Sequence, residues 1–337
     1  MSAPELTTAD LATPPYRWGI DVGGTGIKIG LVDDSGATLA YESIRTHADA
    51  GPDAAVARIA NSCRGILDRL ELPDAPVSAG VGSPGPMDLE AGTLVSPPQL
   101  PTWWGFNLRD AVSDALGLPV AFLNDANAAA YGEFWGGAGR DDDSLVMLTL
   151  GTGVGAGIIV DGHMINGENS CGSECGHMIV DPSPDALNCH WGGGRGQLEA
   201  YASASGVVIR TRRRLEAGVA SELSAHGDDL TAKHVHTAAT HGDPLALQIV
   251  DETAFWLGIA VTSLVYTVDP GAVVLGGAMN FGGGGDAVGE RFIAAIREEF
   301  RVRTFPALAD HTTIKFATLR GHAGYLGVAG YAKKIYQ

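Results

Sequence analysis

Short runs of alternating apolar and polar residues, separated by glycines, dominate the first part of the chain. Residues 17–22, 27–33 and 37–44 read as strands by this period-two pattern. The first two flank Asp21-Val22-Gly23-Gly24-Thr25-Gly26, so the chain begins as strand, glycine turn and returning strand. A helix is expected from about 51 to 70, with Pro52 and Asp53 at its start. Residues 76–82 and 120–123 read as further strands, and 108–116 and 126–134 as helices, Gly117 ending the former. Residues 145–150 form an apolar strand followed by Gly151-Thr152-Gly153-Val154-Gly155, with a returning strand at 157–162. The strand–glycine turn–strand unit therefore occurs twice, which predicts an internal duplication of fold. A loop-rich stretch follows at 162–196, then helices at 198–215, 244–268, 288–301 and 321–336. Strands are expected at 272–275 and 313–317, and a mobile glycine tract at 281–285.

With 337 residues, 45% of them apolar, the chain has length and core enough for two domains. The expected division is a tail over 1–15, a small α/β domain over 16–138 and a larger one over 139–320. The terminal helix, about 321–337, would pack back on the first domain. The glycine-rich, then acidic segment 136–143 is the expected boundary.

A formal net charge of −17 argues against nucleic acid or an anionic membrane as partner. Arg210, Arg212, Arg213 and Arg214 are the one basic cluster along the sequence, expected on the solvent face of a helix. Met1 to Pro15 lacks a basic region followed by an apolar one, so no secretory signal is expected. The longest uncharged run, 253–268, falls short of the ~20 apolar residues that span a bilayer. It also carries Thr262, Ser263 and Thr267, and reads as a buried core helix. Four cysteines make no disulfide framework. A soluble, cytoplasmic protein is expected.

Chemistry enters with the glycine turns. Glycine lets backbone N–H groups converge on an anion and removes side chains that would block it. Each turn alone could be an ordinary hairpin, but two in one chain, each with a threonine, point to a phosphate clamp. Asp21, at the end of the first strand, could stand beside a phosphate-bound Mg²⁺. Asn124-Asp125-Ala126-Asn127 sits where a strand meets a helix, as helix caps do and as a general base would. Gly80-Val81-Gly82-Ser83-Pro84-Gly85-Pro86 fails the nucleophile-elbow spacing, and reads as a rigid loop beside a ligand or as a plain turn.

Glu174, His177 and Glu199 lie in or just after the loop-rich stretch, where carboxylates and an imidazole suit sugar hydroxyls. Cys171, Cys175, His177, Cys189 and His190 invite a zinc reading, but no C-x-x-C pair is present and buried small apolar cysteines are preferred. Gly276-Gly277 closes a strand and could lie against a flat ring or phosphate, or simply turn. Trp103 and Trp104 either line the cleft or fill core. No P-loop motif occurs, and neither glycine turn opens a helix as a dinucleotide fingerprint requires.

Five motifs in order then resemble the ROK family of sugar kinases, of the two-domain actin-like ATPase (ribonuclease H-like) α/β fold. They are Asp21-Val-Gly-Gly-Thr25, Gly82-Ser-Pro-Gly85, Asn124-Asp-Ala-Asn127, Leu150-Gly-Thr-Gly153 and Glu174-Cys-Gly-His177. The resemblance covers nearly the whole chain from Trp18. It implies ATP-dependent phosphorylation of a hexose at its 6-hydroxyl, glucose first, with N-acetylhexosamines or fructose as alternatives.

In that reading Asp125 is the base. Asn124, Glu174, His177 and Glu199 hold the other hydroxyls, with the Gly85 loop closing over the sugar. Asp21 lies near Mg²⁺. Gly23, Gly24, Thr25, Lys28, Gly151, Thr152 and Gly153 grip the phosphates, and Gly276 and Gly277 meet the adenosine. A homodimer is implied.

Two departures stand out. The family's zinc loop reads C-x-C-G-x-x-G-C-x-E; counting back from Glu199, this chain has His190, Gly192 and Gln197 at the cysteine positions. Structural zinc in its usual form is not expected, and an altered site would draw on His177, Cys189 and His190. Lys28 also stands later than in the commonest form, as in polyphosphate-using members, although the net charge disfavours a long polyanionic donor. A sugar-sensing, non-catalytic member is the rival reading. Its DNA-binding form needs a helix-turn-helix for which about seventeen residues before the first strand leave no room.

Overall fold

The computed structural model describes residues 4–8, 11–190 and 193–337. In the first half, β1 (Arg17–Val22), β2 (Gly26–Val32) and β3 (Thr38–Arg45) precede α1 (Pro52–Leu67) and β4 (Ser78–Ser83). A small hairpin of β5 (Met87–Asp88) and β6 (Thr93–Leu94) follows, then α2 (Leu108–Leu116), β7 (Val120–Asn124) and α3 (Asp125–Gly136). The second half opens with β8 (Leu145–Leu150), β9 (Val154–Val160) and β10 (His163–Met164). Helices α4 (Leu198–Ala202), α5 (Ala204–Glu216), α6 (Ala232–Thr240) and α7 (Pro244–Val268) come next. The chain ends with β11 (Ala272–Gly276), α8 (Ala287–Arg303), α9 (Pro306–His311), β12 (Thr313–Phe316) and α10 (Ala323–Ile335).

The expected duplication is present in the topology. One five-stranded sheet runs β3-β2-β1-β4-β7, the other β10-β9-β8-β11-β12. In each, the first three strands in chain order form an antiparallel meander, and two parallel strands extend its leading strand. The carboxyl ends of β1 and β8, the leading strands, carry the two glycine turns.

Each sheet has its own core. Trp18, Ile20, Ile29, Val81 and Phe122 pack with Ile59, Ile66 and Trp103 in the first half. Helix α1 presents Ala55, Val56, Ile59, Ala60, Cys63 and Ile66 at helical spacing to that core, and Pro52 starts it where no N–H is needed. Trp103 is fully buried and fills core, whereas Trp104 is exposed. In the second half α7 is the central helix, capped by the Asp243 side chain on Ala246 N–H. It is long and apolar enough to cross a membrane by composition, but 61% of its apolar window is buried inside the protein.

Two helices cross between the halves. Helix α3 leaves β7 of the first sheet and packs on β8 and β9 of the second. Helix α10 follows β12 of the second sheet and packs on β1 and β4 of the first, and against α3. A Cβ on Gly19 or Gly80 would strike the backbone oxygens of Tyr325 and Val328, and one on Gly327 would strike Ala128 O. Glycine is required there by close backbone approach.

Three sequence expectations need correction. The helix expected at 198–215 is two, because Ser203 is extended (φ −86°, ψ 165°) and its side chain caps α5 on Gly206 N–H. The tract 281–285 is tied into a turn: Gly283 N–H donates to Asn280 O, and Gly285 N–H to Glu290. Arg210 is buried rather than solvent-facing, donating to Glu252 (3.1 Å), Tyr201 O (2.8 Å) and Thr253. A buried guanidinium must find acceptors on every side it can, and the α7 carboxylate and nearby oxygens supply them.

Candidate active site

The two glycine turns are built alike. Gly23 N–H donates to Gly26 O and Gly151 N–H to Gly153 O, each at 2.9 Å, which curls the backbone into a tight loop. Asp21 and Lys28 are register partners across β1 and β2, and Lys28 Nζ lies 3.0 Å from Asp21 Oδ2. Thr46 steadies the first turn from behind, its N–H donating to Thr25 O and its hydroxyl to Gly23 O. The second turn is held by the start of α5: Ala204 N–H donates to Gly151 O and Ser205 Oγ to Thr152 O. Gly277, at φ +89°, ends β11 against the Leu150 backbone, where a Cβ would collide. Gly276 pairs in register with Thr149, so the Gly276-Gly277 end abuts the second turn.

Asp125 opens α3, directly after the last residue of β7. Asn124 Oδ1 and Asp125 Oδ1 both accept from Ala126 N–H, at 2.9 and 2.8 Å. Asn124 is thus a helix cap as well as a candidate ligand. Asp125 is exposed to solvent at its surface, with protein atoms packed densely around it. That crowding, reinforced by the charge of Asp21 and then Glu174, outweighs the Ala126 N–H and pushes its pKa up to about 6. Asp125 therefore shares an electrostatic neighbourhood with residues from the first turn and from the loop of the second half. The β4–β7 register pairs Ser83 with Asn124, and a Cβ on Gly85 would stand 3.2 Å from Asn124 Nδ2. The Gly85 loop therefore borders Asn124.

Glu174 and His177 are exposed on the short turn Cys175–His177, with His177 Nε2 3.9 Å from Glu174 Oε2. Glu199 behaves differently. It is buried, its Oε2 accepts Val154 N–H (2.9 Å) and its Oε1 accepts the Cys189 thiol (2.9 Å). Expected among the sugar ligands, it also braces the second glycine turn through Val154 N–H, since a buried carboxylate needs donors.

The donor set does not fit structural zinc. His177 is not part of the potential ligand group, which is Cys189, His190 and Glu199, with donor atoms within 4.8 Å of one another among the described residues. Zinc in a structural role wants four nitrogen or sulfur ligands. Here there are three donors, one a carboxylate already taking a backbone N–H. His177 Nδ1 lies 3.2 Å from Gln197 Oε1 instead. Gly192, a further family cysteine position, lies outside the described residues. Hard oxygen donors suit Mg²⁺, and Asp21 is a half-buried carboxylate paired with Lys28.

Sequence reading missed Gln197, Thr46 and Ser205. Each acts through a contact made only in the folded chain. For Gln197 the signal was present in its position within the altered loop.

A family model described as the ROK family matches residues 17–335. A glucokinase from Thermotoga maritima is 33% identical over 319 residues, covering 94% of this chain and 96% of the relative. The crystal structure of a ROK hexokinase from Thermus thermophilus superposes with a TM-score of 0.80 at 28% identity, covering 95% of this chain and 99% of that one. A ROK family glucokinase from Streptomyces griseus, solved with glucose and AMPPNP, gives a TM-score of 0.73 at 32% identity, covering 95% and 100%.

Proposed function

The chain belongs to the ROK family and has its actin-like ATPase fold, and on that premise we propose that it is a glucokinase. It transfers the terminal phosphoryl group of ATP to the 6-hydroxyl of glucose. The observation that carries this reading is the placement of Asp125 at the head of α3, its pKa raised to about 6 beside Asp21 and Glu174. A carboxylate with that pKa is ionised at neutral pH and basic enough to take a hydroxyl proton.

Asp125 accepts the proton of the sugar 6-hydroxyl as its oxygen bonds to the γ-phosphorus. The bond from that phosphorus to the β-bridging oxygen breaks, and ADP leaves. The two glycine turns hold the phosphates with backbone N–H groups, and Lys28, paired with Asp21, adds a positive charge. Gly276 and Gly277 leave room for the adenosine against β11. Glu174, His177 and Asn124 orient the sugar under the Gly85 loop. Most of the catalysis is positioning and charge neutralisation. Mg²⁺, held at Asp21, would neutralise charge on the phosphates when bound. The enzyme works as a cytoplasmic homodimer.

ADP release with MgATP across glucose, mannose, fructose, N-acetylglucosamine and N-acetylmannosamine tests this, with Asp125→Asn as control. Turnover on glucose that disappears in the variant supports it. Turnover on an N-acetyl sugar alone moves the substrate, and none on any sugar with ATP or polyphosphate overturns the kinase reading.

A further inference from the structure

Arginines scattered along the sequence meet on the outer face of the first half. Arg45, at the end of β3, Arg58 and Arg69, on and just after α1, and His47 line a cleft of about 510 Å³. Ile44 and Gly65 form part of its wall, and Glu42 is its one acidic residue. In a chain of net charge −17 with 22 lysines and arginines, three guanidiniums and an imidazole around one cleft are a local reversal of charge.

Glu42 offsets only one of these charges. Its Oε2 accepts the Ser62 hydroxyl at 2.6 Å and is 4.0 Å from Arg69, which leaves Arg45 and Arg58 in excess. Arg58 donates through Nη2 to Thr46 O, while its Nε is buried without a hydrogen-bond partner among the described residues. A buried donor left unsatisfied is costly, and an acceptor entering the cleft would relieve it.

The cleft is wired to the first phosphate turn through one residue. Thr46 accepts from Arg58, donates its N–H to Thr25 O, and donates its hydroxyl to Gly23 O at 2.6 Å. Arg45 is itself the register partner of Gly26. Whatever pulls on Arg45 or Arg58 pulls on the back of that turn.

We propose that this cleft is a second, non-catalytic site for a phosphate-bearing anion, whose occupancy is read at the Gly23–Gly26 turn. Guanidiniums bind phosphate oxygens through paired N–H groups, and three of them suit a phosphate ester or a short phosphate chain. Inorganic phosphate, tripolyphosphate and a sugar phosphate share this chemistry and separate by affinity. The site does not depend on the kinase reading, since none of its lining residues takes part in the proposed catalysis.

The test is calorimetric binding of inorganic phosphate, tripolyphosphate and glucose 6-phosphate to the full chain, with and without saturating glucose and MgAMP-PNP. The wild type is compared with the Arg45→Ala/Arg69→Ala double variant, whose exposed positions leave the melting temperature unchanged. The expected result is one binding event that survives saturation of the active cleft and weakens ~10-fold or more in the variant. The best ligand then also shifts KM for ATP in the wild type and not in the variant. Equal affinity in both proteins, or no binding to the wild type once the active cleft is filled, overturns the proposal.

Discussion

His177 Nδ1 meets Gln197 Oε1 at 3.2 Å, across twenty residues of loop. An amide oxygen can only accept, so the contact is a hydrogen bond in the Nδ1-protonated tautomer, whose Nε2 is then an acceptor. Gln197 occupies a cysteine position of the family's zinc loop, so a side-chain hydrogen bond stands where a metal bridge is the usual device.

The purified protein should therefore hold no stoichiometric zinc. Its melting temperature should be the same before and after dialysis against a strong chelator. Elemental analysis returning one zinc per chain, lost together with stability on chelation, would contradict this.

Replacing Gln197 by alanine should free the His177 ring to turn. A single neutral hydrogen bond is worth about 0.5–1.5 kcal/mol, so KM for the sugar should rise roughly two- to tenfold, with kcat little changed. Gln197→Asn, which keeps an amide but shortens the reach, should fall between. A collapse in kcat at unchanged KM would assign Gln197 another role.

Asp125 sets the acid limb of the rate. Its carboxyl must be ionised to accept a proton, so kcat/KM, which reports the free enzyme, should fall as pH drops through about 6. Asp125→Asn should lower kcat by roughly 10²–10⁴-fold. The linkage has a definite sign. The folded pKa lies above the ordinary aspartate value of 3.8, so the folded state binds more protons between the two, and this group's contribution to stability declines as pH rises through that window. The asparagine variant should then be no less stable than the wild type at pH 7 and lack that decline. A melting temperature that falls in the variant at neutral pH would count against the raised pKa.

Glu133 is fully buried near the end of α3 and accepts from Ala138 N–H (2.7 Å), Thr318 N–H (3.1 Å), Thr318 Oγ1 (3.1 Å) and Leu319 N–H (2.7 Å). It pins the connection leading into α10. Glu133→Gln puts a donor where only acceptors fit, at a cost of about 2–4 kcal/mol. Denaturant unfolding should show it. A loss below 0.5 kcal/mol, roughly the size of an ordinary surface change, would mean the pin is not needed.

Gly327→Ala should be as harmful by another route, since the added Cβ meets Ala128 O. Overpacking between two backbones typically costs about 1–3 kcal/mol. An alanine variant as stable as the parent would show that α10 can lift from α3.

What could be read along the chain was local. Strand β1, its glycine turn and β2 follow from alternation and two glycines, and α7 from a long apolar run. Asp125 was visible because a carboxylate between a strand and a helix has few roles. The break at Ser203 was not, because it depends on Ala204 N–H reaching Gly151 O, fifty-odd residues away in sequence. The contacts of Glu199 with Val154 N–H and the Cys189 thiol were not legible either, since only the fold brings them to it. The basic cleft is invisible in sequence for the same reason, since Arg45, Arg58 and Arg69 are neighbours only once α1 lies on β3.

The exchange of α3 and α10 between the two sheets bears on how the chain is made. During synthesis the first sheet can pair its strands early, but the faces of Gly19 and Gly80 stay bare until residues 323–335 have left the ribosome. An amino-terminal fragment ending after α3 would carry that bare face permanently, together with an α3 stripped of the β8–β9 surface it rests on. Nascent chains of this protein therefore complete their first half last.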